Sequence, residues 1–142
     1  MTSEFSIAIH TLVFLNHKGD YQSSEKIAEN VCTNPARIRK IIGRLKSAGF
    51  LETKEGVDGG CRFTGDPRAI TLDMVAHALG ETPIHVSKQT GSLDMDCQIA
   101  SGMGAVMDSI YEELNHSCFD TLKGITIKDI DTAIFQTTAK DS

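Results

Sequence analysis

Asn34-Pro35-Ala36-Arg37-Ile38-Arg39-Lys40-Ile41-Ile42-Gly43-Arg44-Leu45-Lys46-Ser47-Ala48-Gly49 opens on a helix start signal and closes on a helix stop. Asn34 suits the N-cap, because its short side chain can accept from a free amide of the first turn. Pro35 then stands at the first helical position, where a missing N–H costs nothing. Gly49 supplies the residue type on which helices commonly end. At about 100° per residue, Ile38, Ile41, Ile42 and Leu45 gather on one side. The other side carries Ala36, Gly43 and Ser47 at its centre, flanked by Arg37, Arg39, Lys40 and Arg44. Such a face suits the DNA major groove: small residues let the backbone sink in, and long cations reach phosphates and guanine edges. Gly43 costs about 1 kcal/mol relative to Ala in a helix interior, and close approach to a partner would account for it.

Upstream, Phe5, Ile9, Leu12 and Leu15 recur at helical spacing, with Ala8 and Val13 widening the stripe. Gly19-Asp20 turns the chain into a second short helix that starts at Ser23 or Ser24 and buries Ile27, Ala28 and Val31. Downstream, 50–54 reads as a strand and 61–64 as its partner, joined by the turn-rich tip Glu55-Gly56-Val57-Asp58-Gly59-Gly60. Three helices and then a hairpin is the order of a winged helix-turn-helix. Beyond it, Pro67 and Gly80 bracket a fourth helix at 72–79, and 81–96 reads as a polar loop. A long helix is expected from about 97 to 122 and a short one over 127–135. The expected fold class is mainly α with a small β-hairpin. Residues 1–80 form the winged helix-turn-helix DNA-binding domain, and 81–142 supply an effector loop and dimerisation helices.

The net charge of −5 speaks against a nucleic-acid partner only as an average. Residues 1–32 carry −2, 33–68 carry +4 and 69–142 carry −7, so a basic island lies between acidic flanks. No apolar run approaches the roughly 18 residues of a membrane span, and residues 1–5 hold no basic region of the secretory kind. The expectation is a cytoplasmic protein with no membrane partner. Cys32, Cys61, Cys97 and Cys118 form no CxxC and no disulfide framework. His77, His85, His116 and Cys97 offer no ligand pair at helical spacing, so no metal site is expected. The absence of a Gly-rich phosphate loop, paired carboxylates or a nucleophile elbow argues against an enzyme.

The candidate DNA-binding residues follow. A recognition helix reads bases with its N-terminal part, which favours Asn34, Ala36, Arg37, Arg39 and Lys40, with Gly43 at the point of approach. Arg44 and Lys46 are placed for phosphates. In the wing, Lys54 and Arg62 face the backbone or the minor groove, and Gly59 and Gly60 permit a tight tip, whereas Glu55 would repel phosphate. On the long helix Ile99, Met103, Val106, Ile110 and Leu114 make a stripe, widened by Met107, Tyr111 and Cys118, of the kind that pairs subunits. Cys97 begins that helix and is the candidate redox sensor: a helix N-terminus favours thiolate, while Asp94 and Asp96 oppose it. Cys32 and Cys118 read as packed thiols, His10 as a core or groove histidine and His17 as a surface one.

Ser24-Glu25-Lys26-Ile27-Ala28, the run 34–42 and Leu45-Lys46-Ser47-Ala48-Gly49-Phe50-Leu51 together resemble the Rrf-two family of bacterial transcriptional regulators. The wing Gly59-Gly60-Cys61-Arg62-Phe63, with Asp66-Pro67 and Ile70-Thr71-Leu72, is similar to that family's signature, though Cys61 stands where an aromatic is usual. The resemblance covers about residues 3–136 and is strongest over 24–72. It implies a homodimer joined through the long helix that binds a palindromic operator on double-stranded DNA, usually as a repressor. Cluster-bearing members hold iron–sulfur through three closely spaced cysteines before the long helix. Residues 88–106 contain only Cys97, which points to the clusterless, CymR-like branch and to no cofactor. The expected function is a DNA-binding regulator with a thiol response at Cys97. Two alternatives stand beside it: a winged-helix protein-interaction adaptor, and a repressor controlled by a small molecule or a partner protein.

Overall fold

Four aliphatic side chains on one helix face organise the N-terminal half. Helix α3 (Pro35–Ser47) buries Ile38, Ile41, Ile42 and Leu45. They meet α1 (Ser3–Lys18), which contributes Phe5, Ala8, Leu12 and Leu15, and α2 (Ser24–Val31), which contributes Ile27 and Ala28. The computed structural model describes residues 1–86 and 88–140, with side chains given as far as residue 136. Parts of the loop expected over 81–96 and of the C-terminal unit expected over 81–142 therefore lie outside the described residues.

The helix ends follow their local chemistry. Ser23 Oγ accepts from the Lys26 amide at 3.2 Å, and Asn34 Oδ1 accepts from the Arg37 amide at 2.8 Å. Gly19, at φ 75°, ends α1. Thr2 holds the N-cap position of α1 without capping it, because its hydroxyl turns to Glu81 instead. The one buried hydroxyl of α1, on Thr11, donates back to the Ile7 carbonyl at 2.8 Å.

Strands β1 (Leu51–Lys54) and β2 (Gly60–Phe63) form an antiparallel hairpin in the register Leu51↔Phe63 to Lys54↔Gly60. The second strand starts and ends one residue earlier than expected, because Gly60 already pairs with Lys54. Gln22, between α1 and α2, exchanges both backbone hydrogen bonds with Cys61 at 2.9 Å, which fastens the wing to the helical body. This close pass explains a glycine. At Gly60, φ is 144° and a Cβ would lie 2.1 Å from the Gln22 carbonyl oxygen.

Helix α4 (Leu72–Ala78) is followed by the irregular segment, then α5 (Gln98–Lys123) and α6 (Ile127–Lys140). Leu72 N–H donates to Ile125 O at 2.9 Å and Ile127 N–H to Ile70 O at 3.0 Å, so the α5–α6 turn is stitched to the start of α4. The fully buried Ile127 joins the same core. Helix α6 runs to Lys140, beyond the end expected at 135. Thr126 and Asp129 cap its start reciprocally, at 2.9 and 3.1 Å, and no Gly or Pro follows Phe135 to stop it. Among the described residues no helix is long and apolar enough to cross a membrane.

Two glycines should respond oppositely to Ala. Gly60→Ala should lose about 1–3 kcal/mol in urea unfolding, because backbone must move. Gly43→Ala should hold or raise stability, by up to about 1 kcal/mol, because a Cβ there meets no atom within 4 Å.

Candidate nucleic-acid interface

Burial of the isoleucine face turns the rest of α3 outward. Ala36, Arg39, Lys40, Gly43, Arg44, Lys46 and Ser47 are exposed, and Asn34 stands at the helix entrance with its side chain engaged as the cap. Arg37 is half-buried, its guanidinium donating to the Ser3 hydroxyl at the start of α1. Arg39 pairs with Glu25 of α2 at 3.3 Å, both side chains more than half exposed. Such a pair is worth about 0–1 kcal/mol, so a phosphate or base edge can take the guanidinium at little cost. Lys46 Nζ donates to the Thr53 hydroxyl of β1 at 2.7 Å. Among the described residues Lys40 makes no hydrogen bond or ion pair and remains fully available.

Helix and wing share one concavity. A recess of about 240 Å³ lies between them, lined by Arg39, Gly43, Lys46, Thr53 and Gly60 among others. The bare Gly43 backbone forms part of its wall, so a groove-filling partner reaches the main chain there. Gly59 belongs to the tip as expected: a Cβ would lie 2.3 Å from the Lys54 carbonyl oxygen.

The wing cations are less free than the sequence suggests. Arg62 is bound to Glu52 across the hairpin, and the Tyr21 hydroxyl donates to the same carboxylate at 2.7 Å. The Tyr21 ring also lies under the Arg62 guanidinium at 5.1 Å and near the Lys54 ammonium at 5.6 Å. The hydrogen bond from Tyr21, followed by that from Arg62, holds the Glu52 carboxyl below the usual range. The same bond to Glu52 pushes the Tyr21 hydroxyl up. Glu52 therefore cancels Arg62 locally, and Lys54 is the wing cation with its charge unpaired among the described residues. Sequence reading missed Tyr21 and Glu52 because they meet only when the chain folds back over 31 positions.

Arg44 also departs from expectation. Its Nη1 donates at 2.8 Å to the Leu79 carbonyl at the end of α4 instead of standing free for phosphate.

Two of the four thiols differ from their expected settings. Cys32 is exposed, because it ends α2 in the left-handed region at φ 64° and its side chain turns outward. Cys118 is half-buried within this chain. Cys61 is buried in the wing, and burial pushes its thiol up to about 11. Cys97 is exposed at the N-cap of α5, where the amides of Ala100 and Ile99 hold its thiol below the ordinary range.

None of the 26 residues of α5 is buried. Ile99 is 71% exposed, Val106 57%, and Met103, Ile110 and Leu114 about 40% each. Between α4 and α5 the His77 and Phe119 rings meet at 4.8 Å. A groove of about 540 Å³ lies between α1 and α6, lined by Ile9, Phe14, Ile130 and Phe135 with His10 and His17. His10 bonds to Asn30 at 2.7 Å, and His17, exposed as expected, stacks on Phe135 at 4.6 Å.

Comparison with known proteins places this architecture. The chain is similar to the Bacillus subtilis protein YwnA, provisionally named an HTH-type transcriptional regulator, at 27% identity over 95% of this chain and 99% of that one. It superposes with a TM-score of 0.71 on a crystal structure provisionally named a DNA-binding protein, at 28% identity over 89% of this chain and 97% of that one. A Lactobacillus plantarum protein provisionally named a transcriptional regulator shares the fold end to end, with a TM-score of 0.81 at 18% identity and full coverage of both chains. The sequence model of the Rrf2 (Rrf-two) family, described as iron-dependent transcriptional regulators, matches residues 1–132. The chain belongs to the Rrf2 family of transcriptional regulators.

Proposed function

We propose that this protein acts in the cytoplasm as a homodimeric repressor that binds a palindromic operator, with no iron–sulfur cluster and a thiol response at Cys97. The observation that carries the DNA reading is the outer face of α3. It presents Ala36 and Gly43 between Arg39 and Lys40, and opens into the recess shared with the wing. The division of labour is 1–80 for DNA and 81–142 for assembly and response. Asn34, Ala36, Arg39, Lys40 and Gly43 face the groove, with Lys46 and Lys54 at the phosphates. Arg37 and Arg62 contribute once their present partners, Ser3 and Glu52, release them.

The dimer reading is supported by the exposed stripe Ile99, Met103, Val106, Ile110 and Leu114. An apolar row along a helix about 39 Å long is stable in water only when covered. A second copy covers it most simply, since a two-fold contact lets the same row face itself. A two-fold dimer in turn reads two half-sites, hence a palindrome.

The family's description speaks of iron, and the donor set of this chain does not fit a cluster. Such clusters take four protein ligands, mostly thiolates, and Cys97 is the one cysteine between 88 and 106. Among the described residues no three His, Cys, Asp or Glu side chains gather where they could hold a metal ion. What Cys97 offers instead is an exposed thiol whose anion is favoured by two amides. A second reading, an adaptor that binds protein through the same fold, is favoured by the acidic half at 69–142 and is separated by salt dependence.

Fragments enriched from genomic DNA by the reduced protein should bind with an affinity that falls steeply as salt rises. Lys40→Ala should weaken binding and flatten the log–log slope by about one unit per protomer. Gly43→Ala should weaken binding without loss of stability. Retention of a protein partner at high salt, with no DNA enriched, would overturn the repressor reading.

Val106→Glu should give monomers in sedimentation velocity, and dimers that persist would remove α5 as the interface. In alkylation with iodoacetamide, Cys97 should react first, with a rate that rises with pH and levels off below the ordinary thiol pKa. Cys61 should stay slow until the pH nears 11 or the protein unfolds. Oxidation that releases DNA from the parent and not from Cys97→Ser supports the thiol response; equal release from both discards it.

A further inference from the structure

The segment 79–84 leaves the end of α4 through a sharp turn. Glu81 N–H donates to Ala76 O at 2.8 Å and Gly80 N–H to His77 O at 3.1 Å, with Gly80 at φ 66°. This turn leaves the Leu79 carbonyl facing α3, where Arg44 Nη1 donates to it at 2.8 Å. A cation is well placed at that helix end, where unpaired carbonyls carry partial negative charge. The buried Leu79 side chain roots the segment in the core.

The other ties lie further along. The amino group of Met1 donates to Pro83 O at 2.9 Å, and the Thr2 hydroxyl bonds to the Glu81 carboxylate. At the far end Asn115 of α5 takes both backbone groups of Ile84. Ile84 N–H donates to Asn115 Oδ1 at 2.7 Å, and Asn115 Nδ2 donates to Ile84 O at 3.0 Å. A carboxamide bonded in this two-point manner holds a chain as a strand partner would. One short segment is thus fastened to α5 at one end and to α3 at the other.

We propose that 79–84 is a strap through which α5 positions the recognition helix, with Asn115 and Arg44 as its positioning residues. Arg44 then serves DNA binding through the strap and not as a phosphate contact. The proposal rests on the DNA-binding reading of α3. It gives the dimerisation helix a direct mechanical hold on the helix that meets DNA.

The test is a double-mutant cycle in the full-length protein, on the fragment the parent selects, with dimerisation checked by sedimentation. Asn115→Ala and Arg44→Ala should each weaken binding about tenfold with the salt slope unchanged. Because both cut the same strap, the double variant should bind within about twofold of the weaker single. Independent, distant sites add their effects. A loss in the double equal to the product of the singles, or a slope flattened by Arg44→Ala, would overturn the strap.

A measurement without DNA separates the two levels. In hydrogen exchange, Asn115→Ala should speed exchange at 45–50 of α3 and its C-terminal turn as well as at 82–86. Acceleration confined to 82–86 would refute the strap even if operator binding holds. Failure of the parent to bind any DNA would strike the function alone, since exchange still decides the strap.

Discussion

The packing of Ile38, Ile41, Ile42 and Leu45 against α1 and α2 is the constraint on which the rest of the structure depends. Each such side chain contributes about 1.5–3 kcal/mol on full burial, so rotating α3 about its axis would forfeit a large part of the net stability of a domain this size. The helix is thereby locked in azimuth. Its outward face is whatever remains, and here it is Ala36, Arg39, Lys40, Gly43 and Ser47. A hydrophobic requirement on one side dictates the chemistry displayed on the other.

The wing shows the same coupling through hydrogen bonds. Exchange of two backbone bonds between Gln22 and Cys61 sets the hairpin beside α3, and only glycine fits at position 60 where that contact crowds. Once the hairpin is so placed, Tyr21 and Glu52 fall beside Arg62, and the Glu52 carboxylate neutralises it. The hairpin thus frames the recess with backbone and Lys54 more than with paired charge. That suits a wing whose tip also carries Glu55 and Asp58.

Helix α5 stands in contrast to α3. Both carry apolar rows, yet the row on α3 is satisfied inside the chain and the row on α5 is not. The difference is topological. The core closes around α1–α4 and Ile127, and α5 meets the rest of the chain through residues such as Asn115, Phe119 and Leu122, which leaves the row Ile99, Met103, Val106, Ile110 and Leu114 exposed among the described residues. The segment 79–84 joins these two worlds, with its hydrogen bonds to Arg44 on one side and Asn115 on the other.

Local signals were read correctly from the sequence wherever the deciding atoms lie within a few residues. The Asn34-Pro35 start, the Ser23 cap, the hairpin tip and the spacing of Ile38 to Leu45 all act over one or two turns, so the winged helix-turn-helix was legible, and so was the apolar row that stands exposed on α5. Apolar periodicity set the end of α6 too early because a helix continues as long as nothing breaks it, whether or not its residues are apolar. The fate of individual cations was not legible. Arg44, Arg62 and Arg37 look alike on a helical wheel or a strand, and their partners Leu79, Glu52 and Ser3 lie 35, 10 and 34 positions away. Sequence by itself therefore determined which surfaces exist, since burial periodicity and capping are local. Tertiary structure alone decided which charges on them are free, since an ion pair or a hydrogen bond to a distant carbonyl forms only after the chain has brought the two ends together.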